Sequence, residues 1–198
     1  MDEAQLIEAA QRGNLDAFNE LVLTYQHRLF NLAYRIMGDS ASAADATQEA
    51  LIAAFKKIDS FRGGSFSSWV LRIVANRCYD ELRRRKRRPA RGLDDFGEMD
   101  EDANPVLING GESPGEYTER QELVRLLQSA INGLPADHRI VLILSDVEGM
   151  SYAEIADTVG VPLGTIKSRL SRARATLRDE LQTQGELLPR SYRPEGRD

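Results

Sequence analysis

Apolar residues between Leu6 and about Arg88 recur at the spacing of helix faces. Phe18, Leu21, Val22, Tyr25 and Leu29 form one stripe, and Leu51, Ile52, Phe55 and Ile58 a second. After a Gly63-Gly64 break, Phe66, Trp69, Val70, Ile73 and Val74 make a third. These stripes predict a compact helical domain. The pattern resumes near Arg120 with Leu123, Leu126, Leu127, Ala130 and Ile131, turns at Gly133-Leu134-Pro135 and continues through Arg139–Leu144. The expected architecture is all-α, with two small helical domains over 1–89 and 120–182.

The stretch from Ser151 to Arg174 has the punctuation of a helix-turn-helix. Ser151 and Glu154 are spaced as a capping box, Gly160 suits a left-handed stop, and Pro162 suits the first turn of a second helix. On that second helix Ile166, Leu170, Ala173 and Leu177 share one face by periodicity, which predicts that they meet the core. Thr165, Ser168, Ser171 and Arg172 then point outward, flanked by Lys167, Arg169 and Arg174. No acidic residue lies between Pro162 and Arg178 to repel a phosphate. A basic helix face by itself is ordinary solvation; behind a capped helix and a glycine turn it reads as a face for the DNA major groove.

Charge sharpens the division into domains. The first domain ends in Arg83–Arg88 and stops at Pro89, beyond which Gly92–Glu119 contains no Lys or Arg but many carboxylates, among them Asp94, Asp95, Glu98, Asp100, Glu101 and Asp102. Residues 90–119 are therefore expected to be an acidic linker. The last segment, 183–198, has prolines and glycines without apolar periodicity and is expected to lack fixed structure. The basic run is open to two readings, a phosphate contact or a solvated helix end that favours the dipole.

Net charge is −5 over 198 residues, so any affinity for nucleic acid has to be local. The single cysteine, Cys78, excludes an internal disulfide and any multi-cysteine zinc site in this chain, and its apolar surroundings suit a small buried hydrophobe. His27 and His138 stand apart from any ligand-spaced partner, so neither a metal site nor a nucleophilic triad has a starting point; no cofactor and no enzyme activity are expected. The chain opens without a basic-plus-apolar leader and carries no run of membrane-spanning length. A cytoplasmic location without membrane insertion is the expectation.

Three further blocks discriminate among helix-turn-helix proteins. Asp45-Ala-Thr-Gln48-Glu49 leading to Phe55, Phe61-Arg62-Gly63-Gly64-Ser65-Phe66-Ser67-Ser68-Trp69, and Arg72–Arg77 followed by Asp80–Arg84 resemble region 2 of bacterial extracytoplasmic-function (group 4) sigma factors of the sigma-70 family. Gly133–Arg174 resembles their region 4. The two blocks stand in the family's order and cover most of the chain.

The resemblance implies a promoter-recognition subunit that binds core RNA polymerase and directs DNA opening and transcription initiation. It implies that Asp45, Gln48 and Glu49 dock the β′ clamp helices, with the β flap as a second contact. Minus-ten recognition then falls to Arg62, Gly63, Gly64, Ser65 and Ser67 together with Asn76, around unstacked single-stranded bases. Phe66 and Trp69 are either core residues or base platforms. Thr165, Lys167, Ser168, Arg169, Ser171, Arg172 and Arg174 fall at the minus-thirty-five duplex, and because family members often carry a large side chain where Ser171 stands, promoter sequence does not transfer. An anti-sigma factor is a further implied partner. The linker is either a solubilising tether or an acidic strand in a basic polymerase channel. The rival reading is a stand-alone helix-turn-helix repressor or activator, which would need a ligand or receiver domain that this chain has no room for once Leu6–Arg88 is assigned.

Overall fold

The computed structural model describes residues 2–87 and 114–183, and the chain divides into two compact units, Met1–Ala103 and Asn104–Asp198. All regular elements among the described residues are helical. Arg88, the acidic stretch 90–113 and the tail from 184 onward lie outside the described residues.

In the first unit α1 spans Glu3–Gln11, α2 Leu15–Met37, α3 Ser40–Lys56 and α4 Phe66–Arg87, with a 3-10 turn at Ile58–Ser60. Local chemistry sets the starts. Asp2 and Gln5 form a reciprocal capping box on α1, Asn14 caps α2 through the Ala17 N–H, and Asp39 caps α3 through the Ser42 N–H. Gly38, left-handed at φ 87°, ends α2. Helices α2, α3 and α4 pack on one another, and α1 packs on α2.

The buried side of α3 is not the expected stripe. It is Ala43, Ala46, Thr47, Ala50 and Ala54, whereas Ile52 is 51% exposed, Leu51 and Phe55 are half-buried, and Ile58 lies in the turn beyond the helix. The reason is geometric: α3 runs between α2 and α4, and only short side chains let helices come close on both flanks. The larger core residues come from its neighbours, including Leu21, Leu29, Leu32 and Ile36 of α2 and Phe66, Val70 and Val74 of α4.

In the second unit α5 spans Pro114–Asn132, α6 Ala136–Leu142, α7 Tyr152–Val159 and α8 Leu163–Thr183. Helix α5 begins six residues ahead of Arg120, so the expected linker is shorter at this end; Pro114 is suited to a first helical position, and the acidic residues around it favour a helix N-terminus. Five consecutive core residues, Ile140–Leu144, run from α6 into a π-helical segment at Ile143–Val147, where the Glu148 N–H reaches back to the Ile143 carbonyl at 3.0 Å. The half-buried Arg139 donates to the Asn132 carbonyl at 2.6 Å, which closes the end of α5 onto α6.

Candidate nucleic-acid and polymerase interfaces

The helix-turn-helix folds as its punctuation dictates. Ser151 and Glu154 make the capping box, and Gly160 sits left-handed at φ 67°. Pro162 stands one residue before α8 and accepts from the Thr165 and Ile166 N–H groups. Ile166 and Ala173 are 0% exposed and Leu170 2%, so the inward face is the one the periodicity predicts, with Leu177 half-buried at its end.

The outward face divides into two sets. Lys167, Ser168, Ser171 and Arg172 are exposed, with Thr165 half-buried at the edge. Arg169 and Arg174, expected among the DNA contacts, are instead tied to their own unit. Arg169 is only 18% exposed in its side chain and meets Asp137 at 3.3 Å. Arg174 grips Asp146 through two bonds of 2.6 and 3.0 Å, from the side of α8 that faces the π segment. The hydrogen bonds from Arg174 hold the Asp146 carboxyl below its ordinary range and raise the arginine in turn. These two pairs brace α8 at either side of its exposed row.

His138, at the start of α6, lies behind the same helix. Its Nδ1 is buried without a hydrogen-bond partner among the described residues, and burial, then the charges of Arg169 and Arg172, lower its pKa. Sequence reading found no role for His138, Asp137 or Asp146, because the partners lie 28 to 32 positions away and no local spacing announces them.

In the first unit the loop between the 3-10 turn and α4 is built on aromatics. Phe61, Phe66 and Trp69 form a closed triangle with ring centroids 5.6–5.8 Å apart, and Tyr25 meets Phe66 at 6.0 Å. Phe66 is 1% exposed, which makes it core, while Trp69 is half-buried. Gln11 of α1 fastens the loop's near end by donating to the Ile58 and Phe61 carbonyls at 3.2 and 3.0 Å. Gly63 and Gly64 then take φ values of 103° and 87°, a backbone that L side chains rarely adopt, with open space where a Cβ would stand.

Arg62, Gly63, Gly64 and Ser65 are exposed together, and Ser65 also accepts from the Ser68 N–H at the head of α4. Ser67, expected to touch bases, is 7% exposed and receives a hydrogen bond from Arg28 at 3.1 Å. It faces inward because it follows Phe66 into the helix packing. Asn76 is exposed on α4, and eleven residues past Ser65 is about three helical turns, so the two share a face about 16 Å apart.

Asp45, Gln48 and Glu49 are all exposed on α3. Asp45 and Glu49, but not Gln48, border a groove of about 480 Å³ against α4, whose opposite wall carries Arg77, Asp80 and Glu81. Glu49 meets Arg77 at 3.2 Å. Farther along, Glu81 holds both Arg84 and Arg85, at 2.7 and 3.0 Å, and the bond from Arg84 lowers the Glu81 pKa. Arg83 lies over the Tyr79 ring at 5.5 Å. Much of the basic run is thus engaged at its own helix end. Cys78, buried behind this wall, has its thiol pushed up to about 12 by desolvation and is an inert core residue. No described helix is long and apolar enough to cross a membrane.

Comparison with known proteins supplies the family. Residues 21–88 match the model of Sigma-70 region 2, and residues 125–177 match that of Sigma-70, region 4. The RNA polymerase sigma-H factor of Pseudomonas aeruginosa is 38% identical over 185 residues, which are 91% of this chain and 94% of that protein. The ECF RNA polymerase sigma-E factor of Escherichia coli is 35% identical over 178 residues, covering 89% of this chain and 93% of the relative. Among solved structures, CnrH in complex with the cytosolic domain of CnrY aligns with a TM-score of 0.59 at 26% identity, over 92% of this chain and 99% of that one. The sigma factor RpoE in complex with the anti-sigma factor NepR, from Bartonella quintana, aligns with a TM-score of 0.59 at 27% identity, over 85% and 98%.

Proposed function

The chain belongs to the extracytoplasmic-function sigma factors of the sigma-70 family, and from that membership we propose how its parts divide the work of RNA polymerase at a promoter. The C-terminal unit docks α8 in the major groove of the minus-thirty-five element. Arg172 is free to pair bidentately with a guanine, Lys167 neutralises a phosphate, and Ser168 and Ser171 supply adaptable hydrogen bonds beside Thr165. Arg169 and Arg174 hold the helix at the angle this requires.

The N-terminal unit captures the opened minus-ten strand. The Arg62–Ser65 loop surrounds an extruded base, and Gly63 and Gly64 let the backbone come close. Asn76 reads a second base along α4, while Ser67 and Arg28 support the loop from beneath. The exposed Asp45, Gln48 and Glu49 dock the β′ clamp helices of core polymerase, and the C-terminal unit meets the β flap. The chain works in the cytoplasm as a binding subunit, with catalysis left to the polymerase. Because the similar sigma factor RpoE is solved in complex with the anti-sigma factor NepR, an anti-sigma factor is the further partner expected here.

The observation that carries this reading is the helix-turn-helix, with a braced recognition helix whose free polar row is basic, in the same chain as an exposed glycine loop on an aromatic base. The test is transcription from a randomised promoter library with core polymerase. Exchanging residues 62–67 for those of a sigma factor of other specificity should change the preferred minus-ten bases and leave the minus-thirty-five bases alone. Reversal of Asp45 and Glu49 to Lys should lower holoenzyme assembly with circular dichroism unchanged. A loop exchange that moves only the minus-thirty-five preference overturns the division.

A further inference from the structure

Among the described residues, Glu49 is the one ion-pair partner of Arg77, and the pair joins two surfaces assigned different tasks. Glu49 stands on the polymerase-facing side of α3, while Arg77 follows directly on Asn76 in α4. Both side chains are accessible, at 62% and 44%. The pair therefore contributes little to stability and can exchange partners at small cost. The other groove cations differ. Arg84 and Arg85 share Glu81, Arg85 also meets Asp39 at the start of α3 at 3.6 Å, and Arg84, though it feels the charge of Glu49, makes its ion pair with Glu81.

We propose that Arg77 is a placeholder: it occupies Glu49 until a cationic side chain of the polymerase takes that carboxylate, and it then turns to a phosphate of the opened strand beside the base read by Asn76. Asp45 and Asp80, on opposite walls of the groove and without ion-pair partners among the described residues, receive the incoming cation together with Glu49. The arrangement rests on the reading of α3 as the polymerase face. It makes Arg77 a positioning residue before assembly and a strand contact after it. It also links docking to strand capture without any movement of the backbone, because the two residues exchange partners within side-chain reach.

The test uses the full chain, core polymerase and dye-labelled single-stranded DNA of random sequence, with four proteins: wild type, Glu49→Gln, Arg77→Gln and Arg77→Lys. Glu49→Gln should weaken core binding and, with Arg77 released, raise binding of the strand by the chain alone a few-fold. Arg77→Gln, which frees Glu49, should not weaken core binding and should raise it up to a few-fold, while the holoenzyme loses about tenfold in strand affinity and its log–log salt slope shrinks by about 0.7, one phosphate contact on a single strand. Arg77→Lys should keep the slope. If Glu49→Gln leaves core binding unchanged, the polymerase-face reading fails. If it weakens core binding but Arg77→Gln alters neither strand affinity nor slope, the placeholder alone fails. Equal losses of core and strand binding in Arg77→Gln, with a lowered melting temperature, would reduce the pair to a structural tie and also overturn it.

Discussion

The two units prepare their contact residues in opposite ways. In the C-terminal unit the reading helix is clamped by Arg169–Asp137 and Arg174–Asp146, so the side chains between the clamps start from a fixed position. In the N-terminal unit the Arg62–Ser65 loop is anchored from beneath by aromatics, while its glycine backbone stays open above. A duplex presents its base edges at fixed positions, so rigidity lowers the cost of binding it; an unpaired strand has no fixed shape, and a site for it gains from adaptable backbone.

The sharpest way to break the contrast is to remove the aromatic base. Phe66→Ala should cost about 3–5 kcal/mol, the usual loss for a buried phenylalanine, and should abolish strand capture together with the folding transition of the N-terminal unit. Thermal unfolding followed by hydrogen exchange should find amides of α8 protected as before. A uniform loss across both units would mean that their foundations are shared.

Next in size is the fixed face itself. Arg172→Ala should cost about 1–3 kcal/mol of discrimination at one minus-thirty-five position, and Lys167→Ala should weaken all sequences about equally. A promoter-mutant panel scored with both variants checks this. Equal effects at every position from both would remove base reading from Arg172.

The clamps give a smaller effect with a defined sign in pH. Because the Asp146 carboxyl is held below its ordinary range by Arg174, the folded state binds this proton less readily than the unfolded chain. The pair's stabilisation is present above an unfolded aspartate value of about 4 and is lost as pH falls through the depressed folded value. Both side chains are more than a third accessible, so the contribution is under about 1 kcal/mol. Asp146→Asn should lower the melting temperature slightly at neutral pH and flatten its acid dependence, as a pH series of thermal melts would show.

His138 should give the smallest effect. Its lowered pKa disfavours protonation in the folded state, so stability should decline as pH falls below about 6.5 and level off beneath the folded value. His138→Gln should remove that decline. A slope unaltered by the substitution would assign it to other groups.

What could be read from the chain followed the range of the signals. Capping boxes, glycine stops and the Ile166–Leu170–Ala173 face act within one or two turns, and all stand where local chemistry puts them. The alanine side of α3 was not legible, because alanine marks a core only when the closeness of two flanking helices is known. At the candidate sites the same limit applied. That Lys167 and Arg172 are exposed followed from periodicity, but the commitment of Arg169 and Arg174 to Asp137 and Asp146 depended on tertiary packing. Ser67 turned inward for the same kind of reason, since Arg28 comes from a helix 39 positions away.

The narrow inner side of α3 leaves the helix with two independent sets of rules for change. Inward, any substitution at Ala43, Ala46, Ala50 or Ala54, each at most 5% exposed, adds volume where none is available and wedges its neighbours apart. Outward, Asp45, Gln48 and Glu49 can be exchanged for almost any polar residue at little cost to the fold. A lineage can therefore rewrite the outward side of α3 by drift alone, while the inward side keeps the frame that carries the Arg62–Ser65 loop unchanged.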